Sequence, residues 1–495
     1  MQIILDFEPY ELYESVHELI RMAFPGGEIR RAAEAEADLL FKLRLVRGAK
    51  QAIMEAEIRT REDGFKWQKS LDIPALDERT VLNWAKQQVR AFCYDLLCDL
   101  TGKNINSYGI LTGMRPVKLA HRLIDQGLSA EEIETRLKSE YRLTAEKACL
   151  LTEIAFANRP YQCTAESGNW VSVYVGIPYC PSRCYYCSFP GAVLKNYDSE
   201  IAPFMDALLC EIRTLSDCLK ERGLKVQTMY LGGGTPTVLS THHLDRLFNE
   251  LFKGGWITAE TAEITVEAGR PDTLDLDKLH LMKAAGVNRI CINPQSMNDE
   301  TLAAIGRRHD QKGVVQSLQW VREVGIEKIN MDVIIGLPGE GLKENTHTAN
   351  KILELRPDNI TVHTLALKKG SLMSGQESSF TPQERTGQVK AGVELFSRLL
   401  REAGYIPYYL YRQKYMKASM ENLGYALPGC FCLYNIQMIE ERQTIIGLGG
   451  GAGSKFINSK AGTLESLYNP KNPAAYCETV QQLISRKVDK LRALN

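Results

Sequence analysis

The chain has 495 residues, with 60 basic and 60 acidic side chains and a formal net charge of zero. Neutrality removes any global electrostatic case for nucleic acid or an anionic membrane as a partner. No run reaches the ~18 apolar residues that a membrane-spanning helix needs. The first nine residues carry Asp6 and Glu8 and no basic run, unlike a secretory signal, so a cytoplasmic protein is expected.

At 44% apolar residues the chain can bury sizeable cores, and its length suggests about two to four folding units. Residues 1–70 read as a small α+β unit. Gln2 to Asp6 is a strand, Glu11 to Phe24 a helix stopped by Pro25-Gly26-Gly27, and Leu39 to Leu45 with Ala52 to Arg59 a hairpin. Residues 71–165 read as helical. Leu82 to Leu100 steps its apolar residues by three and four, Val117 to Leu123 resumes after Gly113-Met-Arg-Pro116, and Ser129 with Glu132 fits a capping box.

From 166 to 380 short strands and helices alternate. Strands are expected at 171–175, 227–231, 263–267, 289–292, 328–335 and 359–364, and Ser199 is expected to cap the first intervening helix. Six βα units build a parallel sheet and suit a partial barrel, with ligands at the carboxyl ends of the strands. Residues 381–495 hold a long helix, Glu384 to Ala403, then a mixed region. That region includes an aromatic run, Tyr405 to Tyr411, and a glycine-rich stretch, Gly447 to Gly453.

Thirteen cysteines in a reducing compartment are expected to be free thiols, mostly small buried hydrophobes. Three differ by their spacing. Cys180-Pro-Ser-Arg-Cys184-Tyr-Tyr-Cys187 follows the first barrel strand. Thiolates so spaced can hold three irons of an iron–sulfur cube and leave the fourth open. The alternative of structural zinc needs a fourth ligand, for which Cys430-Phe-Cys432 offers half of a poorly spaced pair.

This segment resembles the radical S-adenosylmethionine (SAM) superfamily, whose signature is CxxxCxxC. Its flanks, Ile177-Pro-Tyr-Cys180 and Leu231-Gly-Gly-Gly-Thr-Pro-Thr237, resemble the oxygen-independent coproporphyrinogen III oxidase group (HemN-like). So do Asn288-Arg-Ile-Cys-Ile-Asn-Pro-Gln-Ser-Met-Asn298, Gly306-Arg307 and Asp332-Val-Ile-Ile-Gly-Leu-Pro338. The long N-terminal extension is similar to the coproporphyrinogen dehydrogenase branch of Gram-positive bacteria, often called HemZ. The implied fold is α/β: a partial (β/α)6 radical SAM barrel with an α+β and helical N-terminal extension and a C-terminal region covering the barrel.

The resemblance implies a [4Fe–4S] cluster on Cys180, Cys184 and Cys187, and two SAM molecules. Tyr174, Gly233 and Glu267 would serve the cluster-bound one, with Tyr174 also a catalytic candidate. Tyr186, Gly234, Thr235, Gln295, Arg307, Asp332 and Ala366 would serve the second. It further implies a tetrapyrrole substrate and an electron donor such as flavodoxin or ferredoxin, with no nucleic acid or membrane partner. Arg412, Lys414, Lys417 and Lys455 are candidates to hold propionates, against ordinary surface charge.

The sequence also departs from the family. Gly176 stands where a histidine is usual, and Phe189 where the characterised oxidase has a cysteine. Tyr434-Asn-Ile-Gln-Met-Ile439 replaces the His-Asn-x-x-Tyr-Trp motif of the haem chaperones. The expected activity is oxidative decarboxylation of coproporphyrinogen III. The alternatives are radical modification or opening of a haem, and haem carriage.

Overall fold

The computed structural model describes residues 1–9, 12–31, 37–48, 50–60, 63–75, 77–162, 168–187, 192–366, 382–413, 420–458 and 463–494. They divide into two compact units, Met1–Thr152 and Glu153–Asn495.

The first unit is built on a five-stranded sheet. Strand β1 (Gln2–Glu8) lies between β2 (Glu28–Arg31) and β3 (Leu39–Arg47), parallel to both. Strands β4 (Gln51–Thr60) and β5 (Gly64–Asp72) follow antiparallel. Period-two alternation turns Ala52, Met54, Ala56 and Ile58 of β4 inward. Helices α1 (Leu12–Ala23) and α2 (Glu78–Thr101) bring Val16, Leu19, Ile20, Val89, Phe92 and Leu96 to the same core. The first long helix of the expected helical region therefore shares its core with the sheet. Asp77 caps α2 by accepting from Thr80 N, and Gly102 ends it at φ 65°. Helices α3 (Val117–Asp125) and α4 (Ala130–Ser139) follow, Ser129 and Glu132 form the capping box of α4, and the first unit ends within α5 (Ala145–Asn158). The sequence reading missed β2 and β5. Both are sheet edges rich in charged residues, which suit a strand border facing water but hide its apolar signal.

The second unit holds the six expected parallel strands: β6 (Trp170–Ile177), β9 (Lys225–Gly233), β10 (Glu263–Glu267), β11 (Arg289–Cys291), β12 (Lys328–Ile335) and β13 (Asn359–Thr364). A small parallel ribbon, β7 (Tyr179–Cys180) with β8 (Ala192–Val193), follows β6. The crossovers carry α6 (Tyr197–Glu221), α7 (Thr241–Gly254), α8 (Leu276–Ala284), α9 (Asp299–Ala304), α10 (Gln311–Val324) and α11 (Leu342–Leu355). Helix α6 begins earlier than expected. Asn196 is its cap, accepting from Ser199 N at 3.4 Å, so Ser199 lies inside the first turn.

The C-terminal region completes the sheet on both sides. After α12 (Pro382–Glu402), strands β14 (Ile406–Tyr411) and β15 (Asn422–Ala426) extend it antiparallel beyond β13. After α13 (Leu433–Glu440), strand β16 (Ile445–Gly449) pairs parallel with β6, and β17 (Gly453–Asn458) and β18 (Thr463–Tyr468) follow antiparallel. The sheet is thus eleven strands in the order β14-β15-β13-β12-β11-β10-β9-β6-β16-β17-β18.

A fully buried ion pair fixes β16. Glu211 of α6 meets Lys487 of the last helix, α14 (Pro473–Arg492), at 2.5 Å. Glu211 also accepts from Gly449 N and from the Tyr476 hydroxyl, each at 2.7 Å. The glycine-rich stretch is therefore a strand and tight turn held from behind by buried charge. Among the described residues no helix is long and apolar enough to cross a membrane.

Candidate functional site at the carboxyl ends of the parallel strands

The cysteine loop leaves β6 at the carboxyl edge of the sheet. Gly234 N donates to Ile177 O and Thr235 N to Tyr179 O, each at 2.8 Å, tying the loop to the end of β9. A Cβ on Gly234 would lie 2.4 Å from Tyr179 O, and Gly233 sits at φ 110° with Ile177 O 3.1 Å from its would-be Cβ. Gly233 and Gly234 thus let two backbones of the protein approach, beyond any approach of backbone to ligand.

Each cysteine is held differently. Cys180 is half-buried and its Sγ accepts from Thr235 Oγ1 at 3.4 Å. Cys184 is buried and its Sγ faces Arg270 Nη1 at 3.7 Å. Cys187 is half-buried, and its amide closes a turn to Cys184 O at 3.1 Å. Burial pushes the Cys180 thiol up to about 11, so the thiolate form needs positive or donating neighbours. Hydroxyl and guanidinium donors therefore face two of the three thiols that the sequence predicts as cluster ligands. Cys430 and Cys432 lie elsewhere. Cys432 Sγ contacts Glu263, where β10 begins, and Cys430 Sγ contacts Asp358, just before β13. They stand at the amino ends of the strands, and the half-zinc reading fails on that separation.

Two residues of the predicted second SAM set meet beside this loop. Arg307 Nη2 donates to the Tyr186 hydroxyl at 2.8 Å and Nη1 to Gly269 O at 2.5 Å. Tyr186 also packs on Leu302, Ile305, Ile334, Leu337 and Leu365, and burial raises its phenol. Gln295 lies just past β11 at φ 70°, a left-handed backbone that costs a side-chain-bearing residue about 1 kcal/mol. It is bolted there by Gln295 N to Asp332 O and Ile334 N to Gln295 O, each 2.9 Å. Asp332 lies within β12 and faces His363 Nε2 at 3.6 Å. Gln295 Oε1, Arg307 Nε and Asn293 Oδ1 are buried with no partner among the described residues. Buried polar atoms left open in a strand-end site are what a polar ligand would complete. Ala366 follows β13 and is half-buried.

The predicted first SAM set sits on neighbouring strands. Glu267 ends β10 and accepts from the Tyr230 hydroxyl at 2.7 Å. Burial pushes its carboxyl up to about 7, against the Tyr230 hydrogen bond, with Asp332 adding to the rise and the Gly233 amide opposing it. Tyr174 stacks on Tyr230 at 5.9 Å and on Tyr434 at 6.0 Å, and Tyr230 stacks on Tyr434 at 4.6 Å. The position of the chaperone histidine is therefore filled by a ring of this three-tyrosine pile.

Other calls change. A Cβ on Gly176 would lie 2.4 Å from Gly450 O, so the turn after β16 leaves no room for the family's histidine. Lys455 is buried and its Nζ is committed to Glu441 at 2.8 Å and Met438 O at 3.0 Å, so it is not available to a propionate. Arg412 is buried rather than a surface charge. Lys414, Lys417 and Phe189 lie outside the described residues. Sequence reasoning missed Tyr230, Arg270 and Asn293. Arg270 had a usable signal: it follows the strand-ending Glu267 by three residues and directly precedes Pro271.

Comparison with known proteins identifies the family. Residues 174–352 match the family model described as Radical SAM superfamily. The oxygen-independent coproporphyrinogen-III oxidase-like protein HemZ of Bacillus subtilis (strain 168) is 36% identical over 489 residues, 98% of this chain and 96% of that one. The heme chaperone HemW of Escherichia coli (strain K12) is 29% identical over 285 residues, 58% of this chain and 70% of that one. Among solved structures, coproporphyrinogen III oxidase (HemN) from Escherichia coli superposes with a TM-score of 0.52 at 24% identity, covering 66% of this chain and 72% of that one, which is a likeness of fold. The chain belongs to the radical SAM superfamily, whose members work with a [4Fe–4S] cluster and SAM, and within it to the HemN-like, oxygen-independent coproporphyrinogen-III oxidase-like group.

Proposed function

We propose that this protein is a tetrapyrrole-directed radical SAM oxidoreductase that decarboxylates two propionates of coproporphyrinogen III to vinyl groups. The observation that carries the reading is the set of open polar atoms, Gln295 Oε1 and Arg307 Nε, lying with the cysteine loop at the carboxyl ends of the parallel strands. The substrate class rests on the likeness, over 98% of this chain, to a relative named as coproporphyrinogen-III oxidase-like.

Cys180, Cys184 and Cys187 would hold the cluster, with Thr235 and Arg270 donating to their sulfurs. Tyr174, Gly233 and Glu267 would cradle one SAM; Tyr186, Gly234, Thr235, Gln295, Arg307, Asp332 and Ala366 would cradle a second. When bound, the cluster and SAM would supply radical chemistry, given one electron from an outside carrier such as flavodoxin or ferredoxin. Hydrogen abstraction from the β-carbon of a propionate, followed by loss of CO₂ and one electron to an acceptor, leaves the vinyl group. The chain's task is to orient that β-carbon and to exclude water, and the tyrosine pile provides an apolar floor for it.

The test is anaerobic reconstitution with SAM, a reductant and coproporphyrinogen III, reading 5′-deoxyadenosine, CO₂ and porphyrin mass. Loss of two carboxyl groups with matching 5′-deoxyadenosine is expected. SAM cleavage with an unchanged porphyrinogen would overturn the substrate. Stoichiometric haem binding without SAM cleavage would favour the haem-carrier reading that the HemW relatives raise.

A further inference from the structure

Arg270 is a buried cation, 3% exposed, where the segment that follows β10 reaches the cysteine loop. Pro271 restricts the residue before it to extended backbone, and Arg270 takes φ −128° and ψ 96°. That conformation sends its guanidinium back to the loop while Glu267, three residues earlier, faces Tyr230. Nη1 donates to Ser182 O at 3.3 Å and reaches Cys184 Sγ at 3.7 Å. Nη2 donates to Ser182 Oγ at 2.9 Å. Asp272 braces the other side of the fork, accepting from Nε at 3.1 Å and from Nη2 at 3.2 Å. The planar fork is thus fixed by five contacts and presents positive charge and an N–H to one ligand sulfur. Asp272 is partly open to solvent, with a side-chain exposure of 26%.

Hydrogen bonds to ligand sulfurs, and net charge nearby, set the reduction potential of an iron–sulfur cluster. Reduction adds negative charge to the cluster, and a fixed cation with an N–H on a thiolate stabilises the reduced form more than the oxidised one. We propose that Arg270 raises the cluster's reduction potential through Cys184, acting as a tuning and positioning residue. It assists the incoming electron. The proposal rests on the reading that Cys184 is a cluster ligand.

The test compares reconstituted wild-type protein with Arg270→Lys, Arg270→Gln and Arg270→Met. Iron and sulfide are counted for each, and the midpoint potential is read by EPR-monitored redox titration without substrate. Variants that keep four irons per chain are expected to fall in potential. Arg270→Met should fall most, by at least about tenfold in the reduction equilibrium, which is about 59 mV for a one-electron couple. Arg270→Lys, which keeps the charge and loses the fork, should fall least. An unchanged potential in any fully loaded Gln or Met variant would overturn the proposal. Failure of all three variants to load iron would also overturn it, leaving Arg270 as plain scaffolding of the loop. If wild-type protein itself holds no four-iron cluster, the ligand assignment has failed instead, and the iron count separates the two.

Discussion

Two buried polar groups of the parallel sheet are treated in opposite ways, Arg289 near its amino end and Gln295 near its carboxyl end, although Asn359 Oδ1 at the amino end is open as well. At the amino end, Arg289 is fully buried, and each of its nitrogens donates: Nε to Glu263, Nη1 to Asn330 Oδ1, Nη2 to the carbonyls of Cys430 and Phe431. Glu263 answers with both oxygens, which also accept from Leu433 N and Tyr434 N at 3.0 Å. At the carboxyl end, Gln295 Oε1, Arg307 Nε and Asn293 Oδ1 are equally hidden but open, and Gln295 keeps a strained backbone. A closed network stabilises the fold. An open one lowers stability unless something else completes it, which is the physical mark of a binding site.

Mutation can break this contrast. The largest effect is expected at the amino end. Arg289→Met leaves Glu263 charged and buried, and should destabilise the protein by about 3–5 kcal/mol in denaturant unfolding. A loss below about 1 kcal/mol would show that the closed network carries little. Next comes the wall behind the cysteine loop. Gly176→Ala places a methyl against Gly450 O and should destabilise by about 1–3 kcal/mol, with reduced iron loading on reconstitution. A variant as stable and as iron-loaded as wild type would mean that the turn yields easily.

The carboxyl end should respond in the other sense. Gln295→Gly removes the open amide and relieves a left-handed backbone, so stability should hold or rise. SAM affinity should fall about tenfold, about 1.4 kcal/mol, in anaerobic equilibrium binding. Lower stability with unchanged affinity would reverse the assignment of the two ends.

The smallest effect concerns pH. Glu267 has a folded-state pKa of about 7, above the ordinary 4.5. Its contribution to stability is therefore complete below about pH 4.5 and fades as pH rises through 7. Its capacity to accept from a ribose hydroxyl grows over the same interval. SAM binding should tighten between pH 6 and 8, and Glu267→Gln should flatten that rise. A profile that Glu267→Gln leaves unchanged would remove Glu267 from the site.

Much of this was legible in the sequence, and the exceptions share a cause. The six strands and the cysteine loop were readable because apolar runs, turn residues and ligand spacing are local signals. The pairing of β16 beside β6, and with it the steric demand on Gly176, joins segments far apart in the chain and has no local mark. Ser199 and Asn196 compete for the same cap, and only the backbone shows that Asn196 wins. Lys455 reads as surface charge until Glu441 is placed beside it. Tyr230 looks like an ordinary strand aromatic until Glu267, Tyr174 and Tyr434 surround it.

The most direct test of the carboxyl end as the chemical end is to reconstitute wild-type and Cys184→Ala proteins anaerobically and measure iron content and 5′-deoxyadenosine released from SAM under reductant. Four irons and SAM cleavage in wild type, with both lost in Cys184→Ala, is the expected result. SAM cleavage that survives Cys184→Ala, or its absence from fully loaded wild-type protein, would contradict it.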